Sequence, residues 1–376
     1  MADGPFVLRW GIIATGAMSE YFCKDLLTNP AVRQTADVAH AVTAVSSSND
    51  RLRAEAFLSR INHPAPSNVA TYGSYAELVQ DPDNAMLALT TSKHMLCEKA
   101  LAVTAAQARR LAEVARQKRL IRKLVGGGAI GRVYRVTADL SRAANGSPEP
   151  GSARLDYEDG HRMVDPNLAG GVLLGLGVYP LTWVFQVLYH LQTGEKEEPR
   201  VLSAVQRYHT GVDESATVEV AFPKHGTVGI ATSSLRVATD PGGAGNPAVR
   251  IQGSGGEIQV EHPAYKPTIF KIIKTAGGEL VEEVEEYPQP QDAERDWGNG
   301  TFWEADECAR CVRDGRLGSD VMPTEESIVI MEAMEKVLVG AGIRYPDLIS
   351  SCQFDPSSPL NTGPRRLFFR AELAPE

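Results

Sequence analysis

Val7-Leu8-Arg9-Trp10-Gly11-Ile12-Ile13-Ala14-Thr15-Gly16-Ala17-Met18-Ser19 is the stretch whose reading decides the fold. A short apolar run breaks at small residues and passes into the helix-like segment Glu20 to Leu27. This is the layout of a βα turn that binds a dinucleotide. Small residues let backbone amides approach a pyrophosphate, and the helix N-terminus stabilises its negative charge. Against the pattern G-x-G-x-x-G the three key positions hold Ala14, Gly16 and Ser19, so only the middle glycine is strict. Ala14, Thr15, Gly16, Ala17 and Met18 are the cofactor contacts this reading assigns. The same small residues also suit close packing of a strand on a helix, and the turn alone leaves both readings open.

Working outward, strand and helix patterns alternate. Phe6–Ala14 is apolar, Ser19–Leu27 has helical spacing, Val38–Val45 is again strand-like, and Asp50–Leu58 reads as a helix. Ser74-Tyr75-Ala76-Glu77 is a capping box, His94–Glu98 a short strand, and Thr104-Ala105-Ala106-Gln107 a second capping box opening a helix to Gln117. Such alternation predicts a parallel sheet covered by helices. It fails at two junctions, 83/84 and 119/120, where one helical segment follows another without the strand that a right-handed crossover requires.

From Arg132 the texture changes. Val133–Leu140, Val201–His209, Thr217–Phe222, Thr227–Leu235, Val249–Gly253, Glu257–Glu261 and Thr268–Ile273 are short strand candidates separated by Gly, Pro and Asn. They predict a large, mostly antiparallel open sheet. Thr301–Arg313 and Thr324–Val339 read as C-terminal helices, and the Pro- and Ser-rich end beyond Ser350 as partly disordered. The expected organisation is α/β in two domains, 1–125 and 126–376, with Gly126-Gly127-Gly128 turning between them.

Composition narrows the partners. A chain of 376 residues with 43% hydrophobic and 23% charged residues has the make-up of a globular protein of about two domains. A net charge of −9 disfavours nucleic acid or an anionic membrane as the main partner. Five cysteines, an odd number, point to reduced thiols and a cytoplasmic setting, and the N-terminus shows no basic-then-apolar leader pattern. Leu168 to Leu191 carries no charged residue and is long enough to span a membrane. It also holds Gly170, Gly171, Gly175, Gly177 and Pro180 without a basic flank, so a buried loop and helix is the expectation.

Three places could carry chemistry. The second strand ends in Ser46-Ser47-Ser48-Asn49, with Arg51 and Arg53 behind it. Hydroxyls and guanidinium groups suit the 2′-phosphate of NADP, whereas NAD binders place a carboxylate there. Asp37 has the sequence spacing of such a carboxylate but sits at the strand's start and should point away. A polar loop with solvated arginines is the plainer alternative. Cys97-Glu98-Lys99-Ala100 closes a short strand, where Lys99 could lower the pKa of a hydroxyl or phenol, or simply pair with Glu98 at the surface. Gly170 to Tyr179 is glycine-rich and apolar, so the Tyr179 phenol should need a partner, as an acid/base or as a bonded core tyrosine. Cys308-x-x-Cys311 lacks a second pair for a metal, and His161, His190 and His209 lack ligand spacing.

Together these pieces resemble the Gfo/Idh/MocA oxidoreductase family, in its branch acting on aldoses and trans-dihydrodiols. The matching residues are Trp10 to Gly16, Lys93 to Ala100, Ile130 to Val133, Gly170 to Tyr179 and Thr301 to Gly315. The resemblance implies a Rossmann domain followed by a domain whose open sheet makes a homodimer. It makes Lys99 the catalytic lysine, Tyr179 the acid/base, and Glu98 and Lys99 cofactor contacts. It also implies hydride transfer to NADP from C1 of a sugar, giving a lactone, or from a dihydrodiol. Three departures stand out. Ala100 replaces a proline, Gly175 replaces an aspartate, and two strands expected at 83/84 and 119/120 are absent. A non-catalytic dinucleotide-binding regulator, or an inactive product of a defective gene model, is the alternative.

Overall fold

The computed structural model describes residues 4–48, 50–80, 96, 122, 124–144, 154–276, 279–319 and 323–351. The N-terminal alternation folds as β1 (Phe6–Ile13), α1 (Ala17–Leu26), β2 (Val38–Ser46), α2 (Arg51–Arg60), β3 (Ala70–Tyr72) and α3 (Tyr75–Gln80). The strands pair in parallel in the order β1-β2-β3, as successive βαβ crossovers dictate. At the start of α3 the Ser74 hydroxyl accepts from the Glu77 amide at 3.2 Å, while the Glu77 carboxylate accepts from the amide of Gly73 at 3.0 Å. The predicted elements Asn84–Leu89, His94–Glu98 and Thr104–Gln117, both interrupted junctions and the end beyond Ser351 lie outside the described residues.

The second sheet holds β4 (Val133–Asp139), β5 (Arg200–Arg207), β6 (Asp213–Phe222), β7 (Thr227–Ser234), β8 (Pro247–Gly253), β9 (Gly256–Glu261), β10 (Ile269–Ala276) and β11 (Glu279–Glu286). Its order is β11-β10-β9-β8-β4-β7-β6-β5, antiparallel throughout except where β4 meets β7. Inward residues such as Val136, Val218, Ala231 and Ile251 build its core with α4 (Val178–Leu188) and α6 (Thr324–Gly340). Leu173–Gly177, just before α4, is wound as a π-helical turn. The apolar stretch Pro166–Leu188 is long enough to cross a membrane, yet most of it is buried against this sheet. On the sheet's other face one cross-strand row runs Leu202, Glu219, Ile230, Thr137, Arg250, Gln259, Lys271 and Val284.

The two expected C-terminal helices part company. α6 stays on the second sheet, whereas α5 (Phe302–Arg313) returns to the first, where Ala305 and Cys308 join a core with Trp10, Cys23, Val42 and Phe57. Its anchor is Asp306, fully buried. Asp306 accepts from Arg33 Nε at 3.0 Å and Nη2 at 2.9 Å, from Thr35 Oγ1 at 3.0 Å, and pairs with His40 Nε2 at 2.9 Å. Trp10 Nε1 donates to His40 Nδ1 at 3.2 Å, which leaves His40 Nε2 as the donor to Asp306. Burial opposes ionisation of Asp306, but the hydrogen bonds from His40 and Arg33 prevail and hold its carboxyl at about 2. Three long-range partners make four bonds to this one carboxylate, which is why helical periodicity alone did not place α5. The short helix α7 (Asp347–Ser350) follows.

Candidate active site

The dinucleotide turn is built as its sequence suggests, with one twist. Ala14 stands where the pattern has its first glycine, and it adopts the left-handed φ of 79° that a glycine would take there. Its amide donates to Ser46 O at 3.1 Å, which carries the sheet pairing to the edge of the turn. Gly16 is the N-cap of α1, extended and without any side-chain cap, and Gly16, Ala17 and Met18 are exposed. A methyl group added at Gly16 would find no heavy atom within 4 Å. The first turn of α1 is therefore exposed and lacks a side-chain cap among the described residues, which is the setting the sequence reading requires for a pyrophosphate.

Arg60, reaching over from α2, donates to the carbonyl of Thr15 at 2.8 Å and pairs with Glu20 Oε2 at 3.1 Å. Glu20 also pairs with Lys24, and its carboxyl lies below the ordinary range because Lys24, and then Arg60, outweigh its partial burial. Nothing local in the sequence marks Arg60, since its partner is 45 positions away.

At the end of β2 the serines differ. Ser46 is fully buried and donates its hydroxyl to Ile12 O at 3.3 Å, and Ser47 is buried with its amide on Tyr72 O. Ser48 is half-buried, while Arg51 and Arg53 are exposed. Arg51 donates to Thr71 Oγ1 at 3.1 Å. Asp50 has its Oδ1 on the Leu52 amide as the cap of α2. Asp37 points to the opposite end, bound by Arg310 at 2.8 Å and Arg313 at 2.9 Å, and Arg310 holds its carboxyl far below the usual range.

Tyr179 lies in the first turn of α4, half-buried, with its ring 5.4 Å from that of the exposed Tyr265. The Tyr265 loop is tied to the same helix, because Trp183 Nε1 donates to Ala264 O at 2.9 Å. Lys266 continues the tie to the first sheet. It donates to Asn299 Oδ1 at 2.9 Å, and the Asn299 amide donates to the buried Asp25 of α1 at 2.8 Å. Gly175, one turn before Tyr179, has Met163 Cε 3.3 Å from where a Cβ would stand, so a thioether covers the place of the expected aspartate. Cys97, Glu98 and Lys99 lie outside the described residues.

A dinucleotide turn on a parallel sheet, followed by a large open sheet bearing a tyrosine helix, defines a two-part nucleotide-dependent oxidoreductase. Residues 119–259 match the profile of the GFO/IDH/MocA C-terminal domain. The chain is 50% identical to the D-xylose 1-dehydrogenase (NADP(+)) of Hypocrea jecorina, over 96% of this chain and 100% of that one. It is 30% identical to the human trans-1,2-dihydrobenzene-1,2-diol dehydrogenase, over 90% of this chain and 98% of the relative. The chain belongs to the Gfo/Idh/MocA oxidoreductase family. Levoglucosan dehydrogenase, solved with NADH and levoglucosan, shares the fold at a TM-score of 0.68 and 15% identity, over 89% of this chain and 97% of that one. The alignment with the Hypocrea jecorina enzyme spans 397 positions against 376 residues here, so at least 21 residues of that enzyme face gaps in this chain.

Proposed function

We propose that the chain is a soluble, cytoplasmic NADP-dependent dehydrogenase that oxidises C1 of an aldose of the D-xylose type to the lactone. The end-to-end 50% identity to a D-xylose 1-dehydrogenase carries this reading. The amides of Gly16, Ala17 and Met18 bind the pyrophosphate, with Ala14 and Thr15 shaping the turn and Arg60 holding it. Ser48, Arg51 and Arg53 take the 2′-phosphate, while Ser46 and Ser47 support the loop from beneath. Bound NADP supplies the hydride acceptor. Lys99 lowers the pKa of the Tyr179 phenol, and Tyr179 removes the C1 hydroxyl proton as the C1 hydride departs, leaving the carbonyl. Glu98 sets the lysine beside the cofactor.

Tyr179→Phe tests the assignment. NADP reduction with D-xylose should fall about 10³-fold, within the range of a lost general base, while NADPH fluorescence titration stays unchanged. Persistent turnover sinks it. A panel of pentoses, hexoses and trans-dihydrodiols then ranks the substrates. The face of the second sheet bearing the row from Leu202 to Val284, open among the described residues, is the proposed homodimer contact, and light scattering of the eluting species reads it directly.

The 21 or more gap positions favour a second reading. On this reading they fall at junctions 83/84 and 119/120 of the 1–125 unit, where coding sequence would be lost from the gene model. Transcripts across codons 83–84 and 119–120 should then carry extra codons, and the chain without them should bind NADPH weakly and turn over slowly. Transcripts lacking extra codons reject this.

A further inference from the structure

We propose that Asp213 is a positioning residue for Tyr179: entering from the start of β6 through the gap left by Gly171, its carboxylate caps the helix that carries the phenol and fixes that helix along its axis. This rests on the reading of Tyr179 as the acid/base. Contacts along its length hold the helix. At its start Asp213 Oδ2 accepts from the Leu173 amide at 2.5 Å, and the Val172 amide is turned to the same carboxylate. Further along, a Cβ at Gly177 would stand 3.1 Å from Ser233 Oγ on β7, and one at Gly229 only 2.2 Å from Val184 Cγ1. The last two are close approaches without direction. They set the distance between helix and sheet but leave the helix free to slide. Directional bonds reach the helix body from Trp183 Nε1 to Ala264 O and from Gln186 Nε2 to Glu326 Oε2, both at 2.9 Å, and the Asp213 cap supplies the directional contact at the start of the turn that leads to Tyr179.

The surroundings are shaped around this carboxylate. Gly171 has a φ of +122°, and a Cβ there would lie 2.1 Å from Asp213 Oδ1. Tyr345 closes the same turn by donating to Gly170 O at 2.6 Å, and burial, with the charge of Asp213 beside it, pushes its phenol above the ordinary range. Asp213 is fully buried and its Oδ1 has no hydrogen-bond partner among the described residues. Burial raises its carboxyl to about 6, so at neutral pH the protein holds a costly buried anion. A serine or asparagine would cap at a smaller cost.

The test uses the full chain, NADP and D-xylose. Asp213→Ala should lower kcat about 100-fold, the penalty of roughly 1 Å misplacement, with NADPH affinity within about twofold of the parent. Asp213→Asn, which restores an acceptor, should recover kcat to within about fivefold. A kcat in Asp213→Ala within twofold of the parent overturns the proposal, and so does a loss of NADPH binding in step with kcat. Should Asp213→Ala not fold, Tyr345→Phe decides: kcat about tenfold lower at constant NADPH affinity supports the proposal, and unchanged kcat overturns it. Turnover surviving in Tyr179→Phe would fail the functional reading itself. Its loss there, with full kcat in Asp213→Ala, would fail only the positioning.

Discussion

Two helices in this molecule begin just after glycine-containing turns, and their N-termini are finished in opposite ways. α1 starts at Gly16 with no side chain on its amides and open space above them. The π-helical turn leading into α4 starts against Asp213, a fully buried carboxylate from another strand. Both ends carry the same unsatisfied donors and the same partial positive charge. Where we propose that an external phosphate binds, the chain supplies backbone and small residues. Where we propose that a reactive side chain is held, it supplies its own anion. The glycines follow suit: Gly16 makes room for a ligand, and Gly171 makes room for the protein.

That contrast is broken most sharply at Gly171. Gly171→Ala forces a side chain into the left-handed region and drives its Cβ into Asp213. Strain and overpacking together should cost about 3 kcal/mol of stability, and kcat should fall with it. Urea denaturation measures the first. A loss under about 1 kcal/mol would mean that the Asp213 carboxylate swings aside easily, which a rigid cap does not.

Gly16→Ala should behave the other way round. Its φ of −79° suits any residue, and a methyl group there meets no protein atom. Stability should drop by less than about 1 kcal/mol, the modest preference for glycine over alanine at an N-cap. NADPH affinity should weaken about tenfold or more, since the methyl stands where the pyrophosphate must approach. Fluorescence titration reads the affinity, and unchanged binding would remove the cofactor from this turn.

The same contrast explains what could be read from the sequence. Features set by neighbours along the chain were legible: β1 and α1 around the turn, the seven strands β4 to β10, and helices α5 and α6. β11 was not, because Glu279–Glu286 is a glutamate-rich edge strand exposed nearly throughout, and its backbone pairing with β10 alone makes it a strand. Nor was the packing of α5 on the first sheet, since Arg33 and Asp306 lie 273 positions apart. At the site, the open helix end at Gly16 was legible because glycine and small residues mark it. Asp213 was not, because its amide partner lies 40 positions earlier in the chain.

Ala14 gives the smallest effect and the finest test of how the open turn is built. Its φ of 79° is one that an L-residue adopts at a cost of roughly 1–2 kcal/mol. Ala14→Gly removes that strain but gives the unfolded chain more freedom, which offsets about 0.4–1 kcal/mol of the gain. The net should be a stabilisation of about 0.5 kcal/mol by chemical denaturation. NADPH affinity should stay unchanged, because the turn already has the backbone shape that glycine would give it. A loss of stability would show that the Ala14 methyl group packs usefully beside the sheet. A gain in affinity would show that the strained turn is displaced from its binding shape, and that this open helix end is less well prepared than the one Asp213 closes.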